Sequence, residues 1–281
     1  MKQKKLVFFF ILINTIFITK LSAQFFFLND GHYIGRETGY RFIEPNIVHL
    51  MEYKWGTSFY GIDTYEIAKT GRYTIVYDNN VPFINIQWDN NTSDRYLILA
   101  TGEFLCLYNN NSDPYFFGRK YDHPWDYGLP WYGHVIEMED VSASSTLREG
   151  NNLYAATPER LGTRINSVWA VEGGENEKLF ITKHIQTVHL YLSIGYVHFL
   201  RPYLYLENSR PKRIRVSFLD DPTNFIDYEL EDNPNYQTID FPISSWRGIN
   251  MQNIVIEILE ICPGTRYNHT CINSILRYWS Q

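Results

Sequence analysis

Side chains able to do chemistry are numerous in this chain and widely scattered. His184, His189 and His198 fall close together, and imidazole is a common metal ligand. On one extended strand, however, residues five apart point to opposite faces, so His184 and His189 meet at an ion only if the strand breaks between them. They read as surface histidines. Glycoside hydrolysis needs two carboxylates about 5–10 Å apart, and a chain with 31 Asp and Glu offers many without marking a pair. Asp220-Asp221-Pro222 stands where a turn favours Asp for local backbone bonding, and Glu257 and Glu260 fall in a strand facing solvent. No nucleophile elbow, phosphate loop or zinc-protease helix occurs. The sequence therefore assigns no catalytic residue, no metal ligand and no cofactor. Cys262 and Cys271 bracket one loop and could bridge in an oxidising compartment, or stay two reduced core thiols; Cys106, mid-strand, reads as a small buried apolar residue.

The elements that must position such residues are strands. The chain has 281 residues, 17% of them aromatic with 22 Tyr, a richness that suits sheets rather than helices. Residues 1–23 read as a secretory signal peptide: Lys2, Lys4 and Lys5 precede the apolar run Leu6 to Thr19, which is short for spanning a membrane, and Leu21-Ser22-Ala23 follows. An N-terminal membrane anchor is the other reading of this segment. Gln24 stands where a lipoprotein signal needs a cysteine. Removing Lys2, Lys4, Lys5 and Lys20 takes the formal net charge from −6 to −10, so nucleic acid and anionic membranes are poor partners, and no membrane insertion is expected once the leader is gone.

Residues 24–113 read as an antiparallel β-meander, a small barrel or a curled sheet. Arg72 to Tyr77, Val81 to Trp88, Arg95 to Ala100 and Glu103 to Tyr108 follow one another through short polar turns, and strands so connected pair as neighbours; Ile47 to Trp55 and Thr57 to Tyr65 extend the series. Residues 114–136 alternate Pro and Gly with aromatic rings and read as a connector, whose rings either glue two domains together or form a platform for sugars. In residues 137–281 the periodicity is clearest. Leu190, Leu192 and Ile194 alternate with His189, Tyr191 and Ser193, as Ile214, Val216 and Phe218 do with Arg213, Arg215 and Ser217, which predicts sheets packed inside and solvated outside. Phe225 to Leu230 and Tyr236 to Phe241 add strands. The apolar run Ile254 to Ile261 stops at Cys262-Pro263-Gly264 and resumes as Cys271 to Trp279, giving a sandwich of about eight strands.

The segment Ile261-Cys262-Pro263-Gly264-Thr265-Arg266-Tyr267-Asn268-His269-Thr270-Cys271-Ile272 resembles the closing motif of a bacterial discoidin-like, galactose-binding-like domain, the NADase-type glycan-binding domain. Ser144 to Gly150, Val168 to Gly173, Ile194-Gly195-Tyr196 and Asn208 to Ile214 match it in the same order, over about residues 139–281. The family name does not make this chain an NADase. The resemblance implies an all-β protein whose meander is followed by a discoidin-like jelly-roll β-sandwich, secreted or periplasmic, that binds a glycan or another cell-surface ligand and catalyses nothing. By resemblance the ligand contacts are Trp169, Glu172 and Glu175 in one loop, Asn208 and Arg210 in a second, and Tyr267 and Asn268 in the closing loop. One rival is a lipocalin-like meander carrying an apolar ligand, with the sandwich as support; another is a glycosidase. The family commonly holds a structural Ca²⁺ through an early Asp-Gly loop and a late glutamate. Here Leu161-Gly162 and Ser274 stand at those places, with Arg160 and Arg164 nearby, so a metal-free domain is expected.

Overall fold

The computed structural model describes residues 32–34, 38–43, 45–54, 64–110, 114–119, 134–137, 140–184, 189–240 and 251–279. Residues 1–23, read above as a signal peptide, the stretch 55–63 and the connector rings Tyr121, Trp125, Tyr127, Trp131 and Tyr132 lie outside the described residues.

The meander closes. Strands β1 (His32–Ile34), β2 (Thr38–Ile43), β3 (Ile47–Lys54), β4 (Thr64–Asp78), β5 (Val81–Trp88), β6 (Ser93–Ala100), β7 (Phe104–Tyr108) and β8 (Pro114–Arg119) form an eight-stranded barrel in sequence order. The closing contact pairs Tyr33 with Arg119 and Ile34 with Gly118. Strand β8 thus carries the barrel six residues into the stretch read above as a connector, with Pro114 at the one strand position where a missing N–H does least harm, the first. Between β4 and β5 the two-residue loop Asn79-Asn80 takes positive φ at both positions (52° and 66°), the conformation that matches the twist of a tight hairpin. The interior is filled by Tyr33, Tyr40, Phe42, Tyr73, Trp88 and Phe117 among aliphatic residues. Their rings meet edge to face, Tyr40 with Phe117 and Phe42 with Tyr73 at 5.2 Å between centroids. Among the described residues these side chains occupy the interior where a lipocalin-like container would hold an apolar ligand.

The second half is a sandwich. Its strands are β9 (His134–Glu137), β10 (Asp140–Ala143), β11 (Arg148–Glu149), β12 (Asn152–Leu153), β13 (Trp169–Glu172), β14 (Lys178–His184), β15 (His189–Ile194), β16 (Arg210–Phe218), β17 (Phe225–Glu229), β18 (Gln237–Asp240), β19 (Met251–Cys262) and β20 (His269–Trp279). Two one-turn helices interrupt them, α1 (Pro158–Leu161) and α2 (Leu204–Glu207). One sheet has the order β10-β14-β19-β16-β17; the other is β13-β20-β15-β18, with β9 on the far end of β20. Leu179, Ile181, Ile254, Ile256 and Ile258 from the first sheet pack against Trp169, Leu190, Leu192, Ile272 and Ile275 from the second. The segment around Cys262 and Cys271 supplies the middle strand of one sheet, β19, and an inner strand of the other, β20. Its loop carries the chain from layer to layer. That placement also corrects the bridge considered above: Cys262 and Cys271 are free thiols on strands of different sheets.

Barrel and sandwich share a core. Val81, Phe83, Leu97, Leu99, Phe104, Cys106 and Tyr108 point out of the barrel onto Ile165, Tyr191, Val197, Tyr205, Tyr236 and Leu276. Phe104 lies 5.0 Å from the Tyr191 ring and 5.2 Å from that of Tyr236. Polar groups are matched across the contact: the Tyr191 hydroxyl donates to Glu103 at 2.7 Å, the Tyr108 hydroxyl to the Thr163 carbonyl at 2.7 Å, and the Ala100 N–H to the Asn235 amide oxygen at 3.3 Å. The gluing that the sequence suggested for connector rings is done, among the described residues, by barrel strands β5 to β7 and by one such ring, Phe116 on β8, which packs against this cluster. Tyr191, expected to face solvent, is fully buried for this reason; Ser193, expected there too, is buried with its hydroxyl donating to the Pro234 carbonyl at 2.6 Å.

Candidate functional site

The closing loop is held by helix α2. A one-turn helix leaves its carbonyls without internal partners, and here the N–H groups of Thr265, Arg266 and Tyr267 donate to the carbonyls of Leu206 and Glu207 at 3.0, 3.2 and 2.8 Å. Gly264 donates its N–H to Ser209 Oγ at 3.0 Å. A Cβ on Gly264 would land on the Glu207 carbonyl oxygen and the Asn208 carbonyl carbon, so no larger residue lets the loop approach so closely. The loop then stacks Tyr267 on His269, centroids 5.7 Å apart and planes 10° from parallel.

Beneath this stack opens a cavity of about 420 Å³, within the ~300–1,000 Å³ usual for small-molecule sites. Its floor is apolar: Leu147, Val168, Ala170 and the buried Cys271. Burial pushes the Cys271 thiol far above its ordinary range, with the Glu149 carboxylate adding to the effect, so it stays protonated and inert. Tyr154, Tyr196, Tyr267 and His269 form aromatic walls, and Glu149, Asn152, Arg160, Arg201, Leu204 and Asn208 complete the lining. Hairpin β11–β12, turning at Gly150 with φ +58°, presents Glu149 and Asn152. Helix α1, started by Pro158 and capped by Thr157, whose hydroxyl accepts from the Arg160 N–H, sets Arg160 over the Tyr154 ring at 5.8 Å. Tyr154 is pushed up to about 12, chiefly by burial and then by its hydrogen bond to Glu149.

Asn208 and Tyr267 line this cavity; the other residues named from sequence go elsewhere. Trp169 faces the sandwich core, and its indole donates to the Ser145 carbonyl at 3.0 Å. Arg210 is buried, donating to Asp232 at 2.6 and 2.9 Å and to the carbonyls of Tyr205 and Asn208 at 2.9 and 2.8 Å. Glu172 and Glu175 are exposed outside the lining. Asn268 contributes its carbonyl, which accepts the Gly173 N–H at 2.7 Å. Glu149, Asn152, Tyr154, Arg160, Tyr196 and Arg201 are not among the ligand contacts that the resemblance implies. The signal that could have found Glu149 and Tyr196 is their place inside the family-like segments; nothing in the pattern marked Arg201.

The remaining candidates have local partners. Glu257 pairs with Lys178 at 3.4 Å, and Glu260 with Lys212 and Arg213 at 3.0 and 2.8 Å. Asp221 accepts from Thr223 within its own turn. His184 and His189 fall on strands of opposite sheets. Among the described residues no group of three His, Cys, Asp or Glu is placed to hold a metal. The two positions compared with a calcium site do come together: Leu161 is buried in the core, and the Ser274 hydroxyl donates to the Gly162 carbonyl at 2.6 Å while accepting from Tyr236 at 3.2 Å. A direct hydrogen bond ties loop to strand there. The cavity lining holds one carboxylate, Glu149, so the acid and base pair of a glycosidase is not assembled in it.

His198 neighbours the lining residues Tyr196 and Arg201: its ring lies 6.2 Å from that of Tyr196, and its Nε2 accepts from Arg201 Nε and Nη2 at 3.1 and 2.8 Å. Burial, then the guanidinium, pushes the imidazole down to about 4 from its usual 6.5. A ring held neutral in the fold takes up its proton first in the unfolded chain. Stability is therefore complete above about pH 6.5 and falls as pH drops toward 4. Between pH 7 and 4 the wild type is expected to lose about 1–2 kcal/mol more than His198→Gln, solvent screening holding the figure below the full shift. Urea midpoints across that range measure the difference, and equal slopes for the two proteins would contradict it.

Comparison with known proteins places this half of the chain. A family model described as the NAD glycohydrolase translocation F5/8 type C domain matches residues 131–278, more than half of the chain. No curated protein matches it. Among the described residues no helix is long and apolar enough to cross a membrane.

Proposed function

We propose, from the premise that the chain belongs to the NAD glycohydrolase translocation F5/8 type C domain family, that the sandwich is a non-catalytic binding module whose cavity takes a glycan, and that the protein works outside the cytoplasm. The observation that supports this reading is the cavity itself. Tyr154, Tyr196 and the Tyr267–His269 stack offer flat faces to the C–H side of a sugar ring, while Glu149, Asn152 and Asn208 offer hydrogen-bonding groups for hydroxyls. The charged start and apolar run of residues 1–23 support export, and an acidic chain has little use for nucleic acid.

The experiment is a glycan array probed with the full chain, followed by calorimetry on any sugar retained. The isolated sandwich is a poor reagent, because it would expose Tyr191, Tyr205 and Tyr236 where the barrel covers them. Tyr267→Ala removes one stacking face and should weaken binding tenfold or more at an unchanged melting temperature. Absence of any bound sugar, or full affinity in Tyr267→Ala, would reject the cavity as a glycan site.

A further inference from the structure

Resting on the glycan reading above, we propose that the cavity takes a sugar acid, whose carboxylate meets Arg160 and Arg201, two guanidiniums in the cavity wall with no acidic partner among the described residues. Four other arginines of the sandwich are matched to carboxylates: Arg210 to Asp232, Arg213 and Arg215 to Asp227, Arg266 to Glu207. Arg160 instead lies over the Tyr154 ring at 5.8 Å. Arg201 directs Nε and Nη2 at a single nitrogen of His198. An aromatic face and a neutral imidazole fix a guanidinium in place without cancelling its charge.

The arrangement leaves N–H donors facing the cavity. Arg201 engages Nε and Nη2, so Nη1 remains for a ligand, and a guanidinium bonds a carboxylate more strongly than it bonds a neutral hydroxyl. Both cations act on one hydroxyl: burial raises the Tyr196 phenol, and Arg201 and Arg160 pull it the other way. The one carboxylate in the lining has neighbours of its own and keeps lone pairs for a sugar hydroxyl. Glu149 accepts the Tyr154 hydroxyl and lies 3.7 Å from His269. The chain as a whole carries net charge −6, so this surplus of positive charge is a local property of the cavity and not of the surface at large. A neutral sugar would leave the two cations partly desolvated and uncompensated; a sugar carrying one carboxylate compensates them while its ring uses the same aromatic walls.

The test measures affinity of the full chain for a glucuronic acid disaccharide and for N-acetylneuraminic acid, for their methyl esters, for glucose and galactose, and for glucose 6-phosphate. The expected result is at least a tenfold preference for one of the acids over its own ester. That preference should vanish in Arg160→Gln and Arg201→Gln and survive in part in Arg201→Lys, all with wild-type melting temperatures. A neutral sugar that binds as well as the acids, is lost in Tyr267→Ala and ignores both arginine variants overturns this proposal and leaves the glycan reading standing. Tighter binding of glucose 6-phosphate than of either acid overturns the choice of carboxylate. If no sugar of any charge binds, both readings fall together.

Discussion

Phe104→Ala is expected to destabilise the whole protein by about 3–5 kcal/mol, the usual cost of deleting a buried ring whose surroundings cannot collapse into the space. Phe104 is fully buried and touches Phe116, Tyr191 and Tyr236 with centroids 5.3, 5.0 and 5.2 Å away. Two of those partners belong to the sandwich. The loss should therefore appear in both halves at once. Hydrogen exchange in increasing urea, followed by mass spectrometry on peptides from β5 and from β20, should show protection disappearing from both at one shared, lowered midpoint. A barrel that opens earlier while β20 keeps its wild-type midpoint would show that the shared cluster couples nothing.

Asp232→Ala is expected to cost about 3 kcal/mol, although the Asp232 side chain is itself 40% exposed. What it leaves behind decides the size. The side chain of Arg210 is only 5% exposed and would keep its charge with two donors unmatched, and the Tyr205 hydroxyl would lose its acceptor at 3.0 Å. Removing one partner of such a pair is costly, whereas replacing both by apolar groups is often close to neutral. The double variant Arg210→Met/Asp232→Leu should thus melt above Asp232→Ala, a comparison that separates a stranded charge from lost packing. Equal melting temperatures for wild type and Asp232→Ala would contradict the assignment. Because Arg210 also bonds the carbonyls of Tyr205 and Asn208, ligand affinity should fall with stability in the single variant.

Much of this architecture is legible in the residues. Alternation along β15 and β16 marks the inner face of the sandwich, and the turn formers Asn79-Asn80 and Asp89 to Thr92 mark the barrel's hairpins. The shared core is harder to read, because it concerns what covers the other face. Tyr191 occupies a position that period two assigns to solvent, and the barrel removes it from there. A hint exists in Leu97-Ile98-Leu99-Ala100 and Phe104-Leu105-Cys106-Leu107. These runs do not alternate, since one set of side chains fills the barrel and the other meets the sandwich. By contrast β4 keeps Glu66, Lys69, Arg72 and Thr74 exposed. The site was legible only at one residue of its closing loop and one of a second loop. Tyr267 and Asn208 could be named from the family-like segments, but Trp169 and Arg210 belong to the same segments for structural reasons, and resemblance alone does not separate the two kinds.

The contact between barrel and sandwich also sets an order of events during synthesis. The barrel cannot close until β8 has emerged to meet β1, and its bare outer patch, with Phe104 at the centre, finds its last cover in Leu276. At ribosomal rates of about 5–20 residues per second, roughly ten to thirty seconds separate β7 from that strand. Throughout that interval the nascent chain presents seven adjacent apolar side chains to whatever escorts it.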